Sequence, residues 1–570
     1  VEGSLSDSLQ AWTSLPYKPG WPITVNQLGS RTEGSPMTYD VNGDGQKEVF
    51  ITTATMNGSV GAVMGFKSNG EELFDIDHNV TAISGFYKFD HASSSSTVAI
   101  ADVDQDNKTE VVVTTRNGDD NNTPNDGQSV FFFSATEPDA NGVPIVKWYR
   151  NGVGRDFRGP VLADYANNGT TQISTKGEWG SPFYVFEGTD GSNYPGWPVT
   201  LSGYCPGGFG MPVVADLDQN GSKEYIIGLD NAPASQWCQN TFNASIYVFN
   251  SDGSGFLNPD GFFFRHYSTN SNAYDRMDSP IAIADMNGDG RPEMICVSGE
   301  KYPAAGPYTA HLFILDATAS FIQNWGYNDH TFQVTKMDAS GIMWLPSASV
   351  GDINHDGRLE VVVAGVGKVY AWQNNGSVIS GFPVTESRLD ATMITPLLAD
   401  IDGDDQIEIV VAGNKTGQGK IYGYENDGSK VVGWPLNIGG VAATPCIDDI
   451  DNDGQNEIIA ASGTTIYIWK SQGNPDKIEW GKFRYDANNN GVYPATCVYD
   501  PDATITISSD ETWTNEHYVN SDIEIEPGVT LTVKGKVYMA SAARIIVKNG
   551  NGTVFGGKLV VNGGKLTTKC

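Results

Sequence analysis

Short apolar runs recur along this chain in a constant order. A small-Pro-apolar lead-in ("SPMTYD", "GPVLAD", "MPVVAD", "SPIAIAD", "TPLLAD", "TPCIDD") precedes a polar nonapeptide. An apolar run such as "EVVVAG" or "EIIAAS" follows, and then an aromatic alternating run such as "IYVFN", "VYAWQ" or "IYIWK". Runs this short, rich in β-branched and aromatic residues and bounded by Gly and Asn, predict strands. Several units close on "DGS" and then "GWP" or "GFP", as in "DGSKVVGWPL" and "NGSVISGFPV". Each unit therefore reads as four short strands, with no amphipathic helix between them.

The polar nonapeptide sets the period. "DVNGDGQKE" (Asp40 to Glu48) returns as "DVDQDNKTE" from Asp102, "DLDQNGSKE" from Asp216, "DMNGDGRPE" from Asp285, "DINHDGRLE" from Asp352, "DIDGDDQIE" from Asp400 and "DIDNDGQNE" from Asp449. A decayed copy, "DYANNGTTQ", runs from Asp164 to Gln172. Successive starts lie 62, 62, 52, 69, 67, 48 and 49 residues apart. Four-stranded units at such a period predict an all-β fold, a β-propeller over residues 1–500. Eight copies predict eight blades; seven is the alternative if the decayed copy is not a full blade. Two segments are candidates for closing the ring: "PGWPITV" at 19–25, and the atypical "IEWGKFRYD" after the last repeat. Either would cover an edge that an open ring exposes.

The nonapeptide has the chemistry of a cation loop. Oxygens at positions one, three and five, a main-chain carbonyl at seven and a carboxylate at nine supply five or more hard ligands, which suits Ca²⁺. The expected ligands are Asp40, Asn42, Asp44, Gln46 and Glu48; Asp102, Asp104, Asp106, Lys108 and Glu110; Asp216, Asp218, Asn220, Ser222 and Glu224; and Asp285, Asn287, Asp289, Arg291 and Glu293. Asp352, Asn354, Asp356, Arg358 and Glu360, then Asp400, Asp402, Asp404, Gln406 and Glu408, then Asp449, Asp451, Asp453, Gln455 and Glu457 complete seven sites. The seventh-position residues would contribute carbonyls only. An EF-hand is excluded, because its last acid stands at position twelve and a helix follows it. Gly at position six permits the positive φ of a sharp turn, and Asn107 and Asp405 replace it in two loops. Ala166 and Gln172 deprive the decayed loop of ligands, so no ion is expected there.

Composition narrows the partners. Of 570 residues, 68 are acidic and 35 basic, a net charge of −33 that argues against nucleic acid and anionic membranes. Seven calcium ions would bring that charge to about −19. No apolar run is long enough to span a bilayer. The six cysteines form no CxxC, which argues against a zinc ribbon; Cys296 and Cys446 read as buried hydrophobes, and Cys205 and Cys238 as a candidate pair. The chain begins at Val1 rather than Met, which reads as a mature or proteolytic terminus. From residue 501 to 570 the texture changes to brief β runs between Gly and Asn turns, resembling opening rungs of a β-solenoid, with a small β-sandwich as the alternative. The last run reaches Cys570 without a cap, so the polypeptide is expected to continue.

The repeats resemble FG-GAP/VCBS repeats, the calcium-loop blades also found in integrin α-subunit heads. That resemblance implies a rigid extracellular propeller with roles in adhesion or ligand binding, sometimes as an appendage to a secreted enzyme. If the calcium loops are first turns, the variable loops lie on the opposite face. Blades six and eight have tight turns there, whereas blades two to five carry long insertions. These hold Trp179, Trp237, Tyr267, Tyr274, Tyr302, Tyr308 and Trp344, with Arg265, His266, Arg276 and Lys336 among them, and His330 nearby. Aromatic faces beside polar groups suit sugars or extended peptides. No HExxH, GxSxG, Walker or Rossmann motif is present, so no catalytic residue is assigned. The expectation is a secreted or cell-surface bacterial module that binds a glycan or an extracellular protein. The alternatives are the non-catalytic part of a secreted hydrolase, or a calcium-dependent polysaccharide lyase working on the variable face.

Overall fold

The computed structural model describes residues 15–494 and 504–567 apart from breaks, the longer being 75–84, 118–128, 202–209, 230–244, 267–273, 302–307, 335–344 and 549–557. The candidate pair Cys205 and Cys238 lies outside the described residues. Eight antiparallel sheets stand around one axis, all eight expected units forming blades. In blade 7 the order runs Leu397–Ala399, Glu408–Lys415, Gln418–Tyr424 and Leu436–Ile438, from the axis outward. The decayed unit is a full member with three strands, Val161–Ala163, Gln172–Lys176 and Phe183–Glu187, and Phe183 bridges outward to Val199. Alternation along the inner strands buries Val, Ile and Leu between neighbouring sheets; Val410, Ile421, Ile447 and Ile458 have no exposure.

Tryptophan indoles clasp one blade to the next. Trp148 of blade 2 donates Nε1–H to Gly188 O (2.9 Å), Trp197 of blade 3 to Ser251 O (2.9 Å), and Trp325 of blade 5 to Asn374 O (2.7 Å). Trp21 reaches Ser68 O of blade 1 (3.1 Å). In the "GWP" and "GFP" copies the glycine before the aromatic is required by close backbone approach of the next blade. A Cβ on Gly196 or Gly381 would lie 1.7 Å from the Asp252 or Asp427 carbonyl oxygen, and both glycines have positive φ.

The amino-terminal candidate closes the ring. Ile23–Thr24 is the outer strand of blade 8, with Ile23 opposite Ile466 and Thr24 opposite Thr465. The second candidate takes a place no repeat pattern announces. Ile478–Trp480 pairs with the axial edge of Leu397–Ala399, inside the ring, with Trp480 opposite Leu398. The following residues continue as a series of turns across the central channel. Main-chain bonds run from Ile447 N to Gly481 O (2.8 Å), Ile100 N to Ala487 O (2.9 Å), Leu162 N to Asn488 O (2.9 Å) and Ile283 N to Gly491 O (3.0 Å). This segment thereby bonds to inner-strand edges that would otherwise face an open bore. Trp480 and Phe483 are buried there, and Lys482 donates to Asp448 (2.7 Å). Despite burial, Lys482 and Lys47 hold the Asp448 carboxyl below its usual range.

Residues 504–567 pair differently, in three parallel three-stranded sheets. Thr504–Ile507, Asp522–Ile525 and Ile545–Val547 stack in one of them, with Ile507, Ile523 and Ile525 buried.

Candidate functional site

All seven intact nonapeptides lie between the first and second strands of their blades, so they share one face of the ring. A common geometry holds them. The first Asp accepts the N–H at position six in every copy, for example Gly45 N to Asp40 Oδ2 (2.9 Å) and Gly290 N to Asp285 Oδ2 (2.8 Å). The sixth residue has positive φ throughout, 62° at Asn107 and 65° at Asp405, as expected of the two residues that replace Gly. The fourth residue does too, at Gln105, Gln219, His355 and Asn452 among others, which sequence reading missed. Two left-handed residues in one turn curl the backbone so that positions one, three and five converge.

The ninth residue has two duties. Its Oε2 accepts the N–H of position two: Val41 to Glu48 (3.0 Å), Val103 to Glu110 (2.9 Å), Leu217 to Glu224 (2.8 Å) and Met286 to Glu293 (2.8 Å). Ile353 to Glu360 (3.0 Å), Ile401 to Glu408 (2.8 Å) and Ile450 to Glu457 (3.0 Å) repeat the bond. The buried apolar residue at position two, seven before each acid, was the available signal. Oε1 is left for the loop interior. Burial, with neighbouring aspartates adding to it, pushes these carboxyls up: Glu48 to about 7, Glu224, Glu293 and Glu360 to about 8, Glu408 to about 9.

The interior separates the loops into three kinds. In loops 40–48, 285–293 and 352–360 the third residue is Asn, whose amide donates to the ninth acid, as Asn42 does to Glu48 Oε1 (3.1 Å). In loops 216–224 and 400–408 the third residue is Asp, and Glu224 Oε1, Asp402 Oδ1 and Glu408 Oε1 are buried without a donor. Ligand oxygens of Asp400, Asp402 and Asp404 lie within 4.8 Å of one another, as do those of Asp216, Asp218 and Glu224. Grouped oxygens of this kind fit a hard cation, with the ninth acid a member of the group in loop 216–224 and the three aspartates forming it in loop 400–408. In loops 102–110 and 449–457 a lysine enters. Lys147 contacts Asp104, Asp106 and Glu110, whereas Lys18 contacts Asp451 and Glu457.

The decayed loop keeps the frame and fills its own interior. Tyr165 N donates to Gln172 Oε1 (3.0 Å), and Gln172 Nε2 donates to Thr170 Oγ1 (3.0 Å) and Glu187 Oε2 (3.2 Å). An amide group thus stands where the other loops present a carboxylate oxygen.

Of the residues expected to bind a ligand, Trp179, Trp237, Tyr267, Tyr302, Lys336 and Trp344 lie outside the described residues. Tyr274 and Arg276 belong to a short strand that extends blade 5, Tyr274 opposite Lys301, and Tyr308 pairs with both Lys301 and Val334. Arg265 is half-buried, its guanidinium 5.4 Å from the Phe262 ring centroid. His266 turns inward: it is fully buried, 5.3 Å from the His311 ring, and burial together with His311 lowers its pKa to about 3. His330 is placed in the outer strand of blade 5 rather than in a loop, stacked on Trp325 at 4.3 Å.

Residues 352–411 match the FG-GAP-like repeat family. No curated protein matches the chain. Among solved structures, an exotype rhamnogalacturonan lyase, YesX, aligns at 13% identity over 81% of this chain and 76% of its own, with a TM-score of 0.46. The V. cholerae biofilm matrix protein Bap1 aligns at 13% identity over 85% and 96%, with a TM-score of 0.39. The Dos1 propeller aligns at 10% identity over 82% and 98%, with a TM-score of 0.38. One loop frame recurs in all eight blades, and the chain is an eight-bladed β-propeller in which residues 352–411, from the loop of blade 6 into the second strand of blade 7, match the FG-GAP-like repeat.

Proposed function

We propose that this propeller is a calcium-stabilised binding module of a secreted or cell-surface bacterial protein. Its ligand is a glycan or an extracellular protein, held on the face opposite the metal loops. The observation that carries the metal assignment is the donorless buried oxygens of Glu224, Asp402 and Glu408, each inside a loop of hard acceptors. Outer ligand positions such as Asp44 and Asp404 stay exposed to solvent, an arrangement suited to the millimolar calcium of extracellular fluid. The central segment 478–493 supports a ligand on the loops rather than in the bore, where its side chains are buried. The parallel ladders of 504–567 support the solenoid reading of that segment.

A glycan and polysaccharide array probed in calcium and in chelator tests the reading. Calcium-dependent retention of one sugar class is the expected result. Retention that is indifferent to chelator, or none in either buffer, refutes the lectin-like reading. Unsaturated product from a retained polysaccharide would assign the lyase activity instead.

A further inference from the structure

Blade 2 differs from its neighbours in what stands at the centre of its loop. Lys147 lies on the outer strand Pro144–Asn151 and extends inward over the Phe132 ring, its Nζ 5.9 Å from the centroid. The ammonium is 2.8 Å from Asp104 Oδ2, 2.9 Å from Asp106 Oδ2 and 2.7 Å from Glu110 Oε1. These are the third, fifth and ninth positions of the loop. An ammonium has three donors, and all three are used. The lysine side chain is only 16% exposed. Among the described residues, no lysine or arginine forms an ion pair with loops 216–224, 285–293, 352–360 or 400–408.

We propose that Lys147 is the resident cation of loop 102–110, and that this loop does not take up calcium while the loops without a lysine do. The inference rests on the calcium reading above. A calcium ion would need the same three oxygens at about 2.3–2.6 Å, and the ammonium nitrogen already occupies the point they share. Lys147 is supplied by the same blade, so part of the charge of this loop is offset by the chain itself at any calcium concentration. Asp102 Oδ1 and Asp104 Oδ1 remain buried without a donor, so the loop becomes a competent ion site once the lysine is removed.

Bound calcium is counted on the full chain by equilibrium dialysis and native mass spectrometry, for the wild type, Asp106→Ala and Lys147→Ala. Asp106 is solvent-exposed, so its variant keeps the fold even if Lys147→Ala does not. The expected counts are unchanged in Asp106→Ala and one ion higher in Lys147→Ala. Loss of an ion in Asp106→Ala shows that the wild-type loop is a calcium site and overturns the proposal. It is equally overturned if the wild type binds ions but Lys147→Ala gains none. No ion in any of the three chains refutes the calcium reading itself.

Discussion

Glu408→Gln separates the two duties of the ninth residue. Gln172 shows that an amide keeps the main-chain bond to position two, so the variant retains the loop frame and loses only the interior oxygen. Glu408 has its carboxyl pushed from 4.5 up to about 9, because burial and then Asp402 disfavour its charged form. At about pH 7.5 the unfolded chain ionises this group and the ion-free folded chain does not. Folding then costs about 4 kcal/mol in proton uptake, and about 2 kcal/mol once water at the loop mouth screens the site. The amide escapes that cost. In calcium the sign reverses: an ion present at about 100 times its dissociation constant contributes about 2.7 kcal/mol, which the variant loses. For a ring of roughly 480 residues the unfolding entropy is about 1 kcal/mol/K, so each effect moves Tm by about 2–3 °C. Scanning calorimetry in chelator and in calcium should place Glu408→Gln above wild type in the first and below it in the second. A variant less stable than wild type in both buffers would show that Glu408 serves as a charged structural acceptor, and would refute the ligand assignment.

Two further outcomes follow from the same geometry. Trp480→Ala empties a fully buried site on the axial strand and should cost about 3–5 kcal/mol, lowering Tm by about 3–5 °C with or without calcium. A shift below about 1 °C would mean the axial segment does not fill the bore. The raised carboxyls of the loops also set a pH dependence. The ion-free folded chain holds more protons than the unfolded one, so its stability should fall as pH rises from about 4.5 through about 7–9. Calcium should flatten that slope, and a chelated protein whose Tm rises over the same range would contradict the burial of these groups.

Local chemistry was enough to read the repeat, the strands and the loop. A strand needs only its own alternation and a turn at each end, and the nonapeptide carries its ligand spacing and its sixth-position turn within nine residues. Even the replacements Asn107 and Asp405 were legible, since few side chains accept positive φ. The ring count followed from the period, because a blade buries its faces only against two others. What tertiary structure alone decided are contacts between residues far apart in sequence. "PITV" and "IEW" look alike as short β runs, yet one closes blade 8 from outside and the other lines the axis from within. His266 reads as a loop residue until its burial against His311 is seen. Lys147 stands 37 residues from Glu110, and only the antiparallel return of its strand brings the ammonium into the loop. Spacing specified the acidic loops, while packing between strands determined which of them a lysine enters.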